Sequence, residues 1–364
     1  MNAWEFRGGS LNEIYVYENK IIKSYKGDID RGFEKLRKEN DWLNKISHIL
    51  KDKFPYSLPT VIDFVDDKEN NITELHLEKL PRQSFTKLIL LDNNLDLSIF
   101  ERKLDITLTF LIEHLYPIKK ANMSPYDIYI VYHANRLALA RRYFKTIPYI
   151  SPILSASSLE INNISCPSIN EFLAWLDAKA KDIFTSSNLF TYHGNFHLDN
   201  VLISNTSDFG MNAITLIDPR GDMLGPAHYD YSKILISLEG YYDEIHYEKF
   251  NLDYTKKGKI FSMNIDINDD KKDYYIRGLN VLLKYLDKFS KLESTDTKKF
   301  IIATYTSACV HILSFIFYHA YRETTPPNRI RAFFCLYALF AKKLMDMYNN
   351  DISVEISNKR LQIK

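Results

Sequence analysis

A chain of 364 residues is long enough for one large or two moderate domains, and 46% hydrophobic with 26% charged residues is the balance of a soluble globular protein. A net charge of +1 excludes a general nucleic-acid binder, which needs a dominant basic face. Three widely spaced cysteines (Cys166, Cys309, Cys335), with no CxxC, exclude a disulfide framework and a cysteine zinc site and fit reduced thiols in a cytoplasmic protein.

Residues 1–7 lack a basic stretch followed by an apolar run, so no signal peptide is read there. Gly8-Gly9-Ser10 then precedes two β-branched and aromatic runs, 14–17 and 20–25, separated by Glu18-Asn19, which predicts a hairpin. Apolar residues at Phe33, Leu36, Leu43, Ile46 and Leu50 predict a helix over 32–50. Strands are predicted at 60–65 and 73–78, around the turn-rich 66–71. From Pro81 the pattern turns helical, with helices expected at 106–115, 134–143 and 170–184, the last with Ser168 as N-cap. Three more are expected at 272–291, 298–321 and 328–349, and a polar tail at 351–364. The stretch 300–321 is about long enough to span a bilayer, which takes roughly 20 residues. It also carries Thr304, Thr306, Ser307, His311, Ser314 and His319, so it reads as a buried helix and no membrane span is expected. The expected organisation is α+β: a small β-rich lobe at 1–80 and a large helical lobe at 81–350.

The chemistry concentrates in His193-Gly194-Asn195-Phe196-His197-Leu198-Asp199-Asn200 and in Ile217-Asp218-Pro219-Arg220-Gly221. This is the layout of a phosphoryl-transfer centre, which asks for positioning and charge neutralisation. Asn200 offers an amide oxygen and Asp218 a carboxylate, a pair that suits Mg2+ alongside substrate phosphates. Small residues at Gly8-Gly9-Ser10 let backbone N–H groups approach phosphate, so Ser10 is a nucleotide-binding candidate. Lys23 closes the second hairpin strand and Glu39, sixteen residues on, lies on the following helix as its candidate partner.

With these residues the chain resembles the aminoglycoside phosphotransferase and choline kinase family, the small-molecule branch of the protein-kinase-like fold. The family pattern, His-Gly-Asp with Asn five residues after the Asp and then Ile-Asp, is met at His193, Gly194, Asn200, Ile217 and Asp218. Residues 225–233, from Gly225-Pro226 to Tyr229-Asp230, resemble a further family segment. The resemblance implies a two-lobed kinase-like fold using ATP and Mg2+, with Lys23 on the phosphates and Glu39 holding it. It further implies adenine contacts from the stretch containing Leu77, Glu78 and Lys79, and Asp230 bracing the catalytic loop. The specific match is confined to 190–235. Within the family, Ile217 to Gly221 with 236–243 looks most like kinases of bacterial surface-polysaccharide loci, which implies a sugar, polyol or amino alcohol as acceptor. His197, Arg220, Asp222 and Glu239 are the candidate acceptor contacts.

One position departs. Where the family has its catalytic aspartate this chain has Asn195, and an amide accepts no proton at neutral pH. Three readings stand: an introduced substitution, a natural nucleotide-binding pseudokinase, or an active enzyme in which Asp199, His197 or Asp222 serves as base. Neither the acceptor's identity nor an oligomeric state follows from the sequence.

Overall fold

The computed structural model describes residues 4–6, 12–26, 30–91, 95–144, 147, 150–204, 208–267, 269–320 and 325–349. Ser10 and the tail at 351–364 lie outside the described residues. The fold is α+β, with its main sheet near the N-terminus and most of its helix towards the C-terminus. Two compact units form, Met1–Lys120 with Phe190–Gly225, and Ala121–Leu189 with Pro226–Lys364.

The first unit is built on a five-stranded antiparallel sheet of order β1-β2-β3-β5-β4: β1 Trp4–Phe6, β2 Glu13–Val16, β3 Lys20–Lys26, β4 Val61–Asp67 and β5 Ile72–Glu78. Its register sets Ile14 and Leu75 on either side of Lys23. Strict alternation in β5 buries Thr73, Leu75 and Leu77. Helix α1, Asp30–Leu50, buries Leu36, Trp42, Leu43, Ile46 and Leu50. Burying each such apolar side chain contributes about 1.5–3 kcal/mol. Glu39 falls inside this apolar stripe and is 0% exposed, so packing that favours the helix also takes a carboxylate out of water.

The expected division at residue 80 is not where the units part. Gln83–Ser84 hydrogen-bonds to the strand Val201–Ile203, which pairs on its other side with Ile214–Leu216. This small sheet ties 81–120 to 190–225, and the Leu216 N–H, donating to the Ser57 carbonyl at 2.8 Å, ties it to the N-terminal segment. Asp96 caps the helix Leu97–Phe110 by accepting from the N–H groups of Ser98 and Ile99, so that helix starts well before the expected 106.

The second unit is mainly helical, and Ser168 forms the full capping box with Glu171 at the start of Ile169–Ile183. It also holds a four-stranded sheet, which the expected helical lobe at 81–350 did not include. The hairpin Phe250–Lys257 and Ile260–Ile267 pairs in parallel with Ser158–Ile161, which pairs with Ile164–Cys166. The period-2 burial of Phe261, Met263, Ile265 and Ile267 is its sequence signal.

Helix Thr297–Ala320 contains the one stretch among the described residues long and apolar enough to cross a membrane, and 89% of that stretch is buried inside the protein. Three of its hydroxyls are satisfied by the helix's own backbone. Thr304, Thr306 and Ser314 donate to the carbonyls of Phe300, Ile302 and Val310, each at 2.8 Å, and His311 meets the Tyr229 ring at 4.1 Å.

Candidate active site

The two loops singled out by the sequence are stapled together within the first unit. The Arg220 N–H donates to the His193 carbonyl at 2.8 Å, and the Ile217 N–H donates to the Asn200 carbonyl at 3.0 Å. Gly194, at φ 73°, permits this approach: a Cβ there would lie 2.6 Å from Arg220 Cβ. Gly221, at φ 91°, does the same against α1, where a Cβ would lie 2.6 Å from the Lys38 backbone. His193 is fully buried, its ring edge-on to Trp42 at 6.0 Å and to Phe196 at 6.1 Å. That packing gives it a supporting place beneath the loop rather than an open one.

Buried Phe196, Leu198 and Asn200 alternate with half-buried Asn195, His197 and Asp199, so the loop presents one side inward and one outward. Asn200 sits at the end of the turn Leu198–Asn200, its N–H bonded to the His197 carbonyl at 2.9 Å. Its side-chain Nδ2 donates to the Asn195 carbonyl at 2.8 Å. Asn195 Nδ2 in turn donates to Asp218 Oδ2 at 2.7 Å and to the Asp218 carbonyl at 3.2 Å. Asn195 therefore links the two candidate metal ligands. Asp218 itself is left-handed, φ 54°, a conformation that costs a non-glycine residue about 1–3 kcal/mol and is found where surrounding contacts fix it.

Those contacts are cationic. Lys23 Nζ lies 2.5 Å from Glu39 Oε1 and 2.7 Å from Asp218 Oδ1, and Lys35 Nζ lies 3.3 Å from the same Oδ1. Burial alone would lower the Lys23 pKa, but the Asp218 and Glu39 carboxylates outweigh it and hold the ammonium above its ordinary value. Burial would likewise raise Asp218, yet Lys23 and Lys35 hold it well below the carboxylate range, ionised at neutral pH. For Glu39 burial prevails and pushes its carboxyl up against the pull of Lys23.

The remaining candidates divide. Arg220 and Asp222 pair with each other at 2.6 Å, and Lys38 reaches Asp222 at 3.5 Å. Asp199 accepts from Ser84 Oγ at 2.6 Å, and that same hydroxyl caps the helix Phe85–Leu90. Both carboxylates weighed as substitute bases thus have partners other than Asn195. The Glu78 N–H donates to the Thr60 carbonyl and the Lys79 N–H to the Asn19 carbonyl, at 2.9 and 3.1 Å. Those two donors are engaged within the fold. Leu77 is buried in β5.

Asp230 and Glu239 belong to the second unit. Asp230 is fully buried in the first turn of Ala227–Leu238. Glu239 ends that helix with one carboxylate oxygen on the Tyr305 hydroxyl and the other on Lys343. It is an internal ion pair, 6% exposed, which corrects its assignment to an acceptor. Sequence reasoning missed Lys35, whose signal was its place one helical turn before Glu39 on α1.

The chain is similar to aminoglycoside phosphotransferases. An aminoglycoside-3'-phosphotransferase of type VIII is 13% identical, with 77% of this chain and 93% of that one covered at a TM-score of 0.40. A candidate aminoglycoside phosphotransferase from Ralstonia eutropha is 11% identical, with 94% and 92% covered at 0.48. No family model and no curated protein matches the chain. The geometry of the site, not these likenesses, carries the functional reading.

Mg2+ fits the donor set. With Nδ2 committed to the Asn195 carbonyl, Asn200 keeps Oδ1 as its acceptor end, and Asp218 is held ionised. One amide oxygen and one carboxylate is what this ion takes alongside phosphates and water. Among the described residues no three His, Cys, Asp or Glu side chains gather as a cluster that would hold a softer metal.

Proposed function

We propose that this chain is a cytoplasmic, kinase-like phosphotransferase that binds MgATP in its first unit and transfers the γ-phosphate to a hydroxyl of a sugar, polyol or amino alcohol. The observation that carries the reading is the buried Lys23–Glu39 pair bonded to Asp218, with Asn195 joining Asp218 to Asn200. Lys23, fixed by Glu39, binds the phosphates, and Asn200 and Asp218 hold the metal ion. When bound, that ion neutralises charge on the β- and γ-phosphate oxygens. Asn195, its Nδ2 turned to Asp218, has Oδ1 to accept a hydrogen bond from the acceptor hydroxyl. It orients that hydroxyl without removing its proton, which costs about 10²–10⁴ in rate relative to a carboxylate. A role in surface-polysaccharide synthesis belongs to the same proposal, on the motif resemblance alone.

The hydrogen bond that the Asn195 side-chain amide donates to Asp218 favours a second reading, a nucleotide-binding module without turnover. Phosphoryl transfer to a panel of sugars and amino alcohols, by the chain and by Asn195→Asp, tests both. Transfer by either form supports the kinase; MgATP binding without transfer by both leaves the module; no nucleotide binding sinks the two together.

A further inference from the structure

Lys35 is a further cation at Asp218. It stands one helical turn before Glu39 on α1, its side chain 30% exposed, with Nζ 3.3 Å from Asp218 Oδ1. Lys23 reaches the same oxygen at 2.7 Å but is 9% exposed and also holds Glu39 at 2.5 Å. Two ammonium groups therefore converge on a single carboxylate oxygen, which screens their mutual repulsion only in part. The two lysines are not equivalent. If Asp218 Oδ1 is shared with a divalent cation, Lys23 keeps Glu39, whereas Asp218 is the one ion-pair partner of Lys35 among the described residues. A half-exposed lysine on a four-carbon stem then turns to the nearest strong anion.

We propose that Lys35 is a second phosphate-binding residue, which distinguishes a nucleoside triphosphate from a diphosphate. The inference rests on the kinase reading above. Lys35 sits beside the carboxylate that would hold the ion, where a bound ion would neutralise charge on the terminal phosphates. Lys23, deeper and pinned by Glu39, serves the phosphates present in both ligands.

Calorimetric titration of the full chain with MgATP, MgADP and adenosine tests this in wild type, Lys35→Met and Lys35→Arg. The proposal expects Lys35→Met to lose about ten-fold in MgATP affinity, the worth of one charge-assisted phosphate contact, with a smaller loss for MgADP and none for adenosine. Lys35→Arg should stay within a few-fold of wild type. Unfolding midpoints without nucleotide establish that each variant is folded. Wild-type MgATP affinity in Lys35→Met overturns the proposal, and so does an equal loss for all three ligands. A wild-type chain that binds no nucleotide overturns the kinase reading itself.

Discussion

Asn195→Asp is the substitution that most loads the site, because it replaces a donor to Asp218 by a second carboxylate. The Nδ2 to Oδ2 distance is 2.7 Å, and two unit charges that far apart repel by roughly 6 kcal/mol at an effective dielectric of about 20. Protonating one carboxyl instead caps the cost near 4 kcal/mol at pH 7 and near 1.5 kcal/mol at pH 5, for a carboxylate pKa of about 4. Rotation of the new side chain lowers the cost further, so about 2–4 kcal/mol of unfolding free energy should be lost at pH 7 in chelator. That deficit should shrink at pH 5 and again in millimolar Mg2+, and phosphoryl transfer should rise by about 10²–10⁴. Urea unfolding at the two pH values, with EDTA and with Mg2+, reads the first effect. A variant as stable as the parent in EDTA at pH 7, with no larger Mg2+ response, would refute the geometry assigned to Asn195.

Lys23→Met leaves Glu39 buried and unpaired and should cost about 3–5 kcal/mol in denaturant unfolding, part of which a second change, Glu39→Gln, restores; strict additivity of the two would contradict the pairing. Gly221→Ala should cost more than about 1 kcal/mol, since φ is 91° and the new Cβ would meet the Lys38 backbone at 2.6 Å, with an unchanged midpoint as the contrary result. His228, Nε2 3.3 Å from His133 Nε2, is pushed down to about 3 by burial, below its ordinary 6.5. It stays neutral in the fold while the unfolded chain takes up a proton, so stability falls as pH drops below 6.5, by about 2 kcal/mol at pH 5. His228→Gln should flatten that part of the profile, and an unchanged slope between pH 5 and 7 would contradict it.

Much of the first unit was legible because its signals are local. The β2–β3 hairpin alternates over short runs, α1 repeats at helical spacing, and His193, Gly194, Asn200 and Asp218 lie within a few residues of their turns. Lys23 and Glu39 were legible only as common residues in plausible places; their burial together raises them above chance. Asn195 was legible as an exchange of residue type, but its bond to Asp218, 23 residues on, was not. Long-range partners account for the other misses. Glu239 reads as a free acceptor contact until Tyr305 and Lys343 arrive, 66 and 104 residues downstream, and Lys35 meets Asp218 across 183. In the hairpin at 250–267 only the second strand carries a period-2 pattern, a short signal between long helices. Backbone donors at Glu78 and Lys79 carry no sequence signal at all, since any residue supplies an N–H.

Phosphoryl transfer as proposed requires that the first unit bind MgATP through Asp218. Calorimetric titration of the chain and of Asp218→Asn with MgATP measures this directly. Saturable binding by the parent, lost or weakened at least ten-fold in the variant, is the predicted result. Binding of equal strength in the two, or none in the parent, would contradict it.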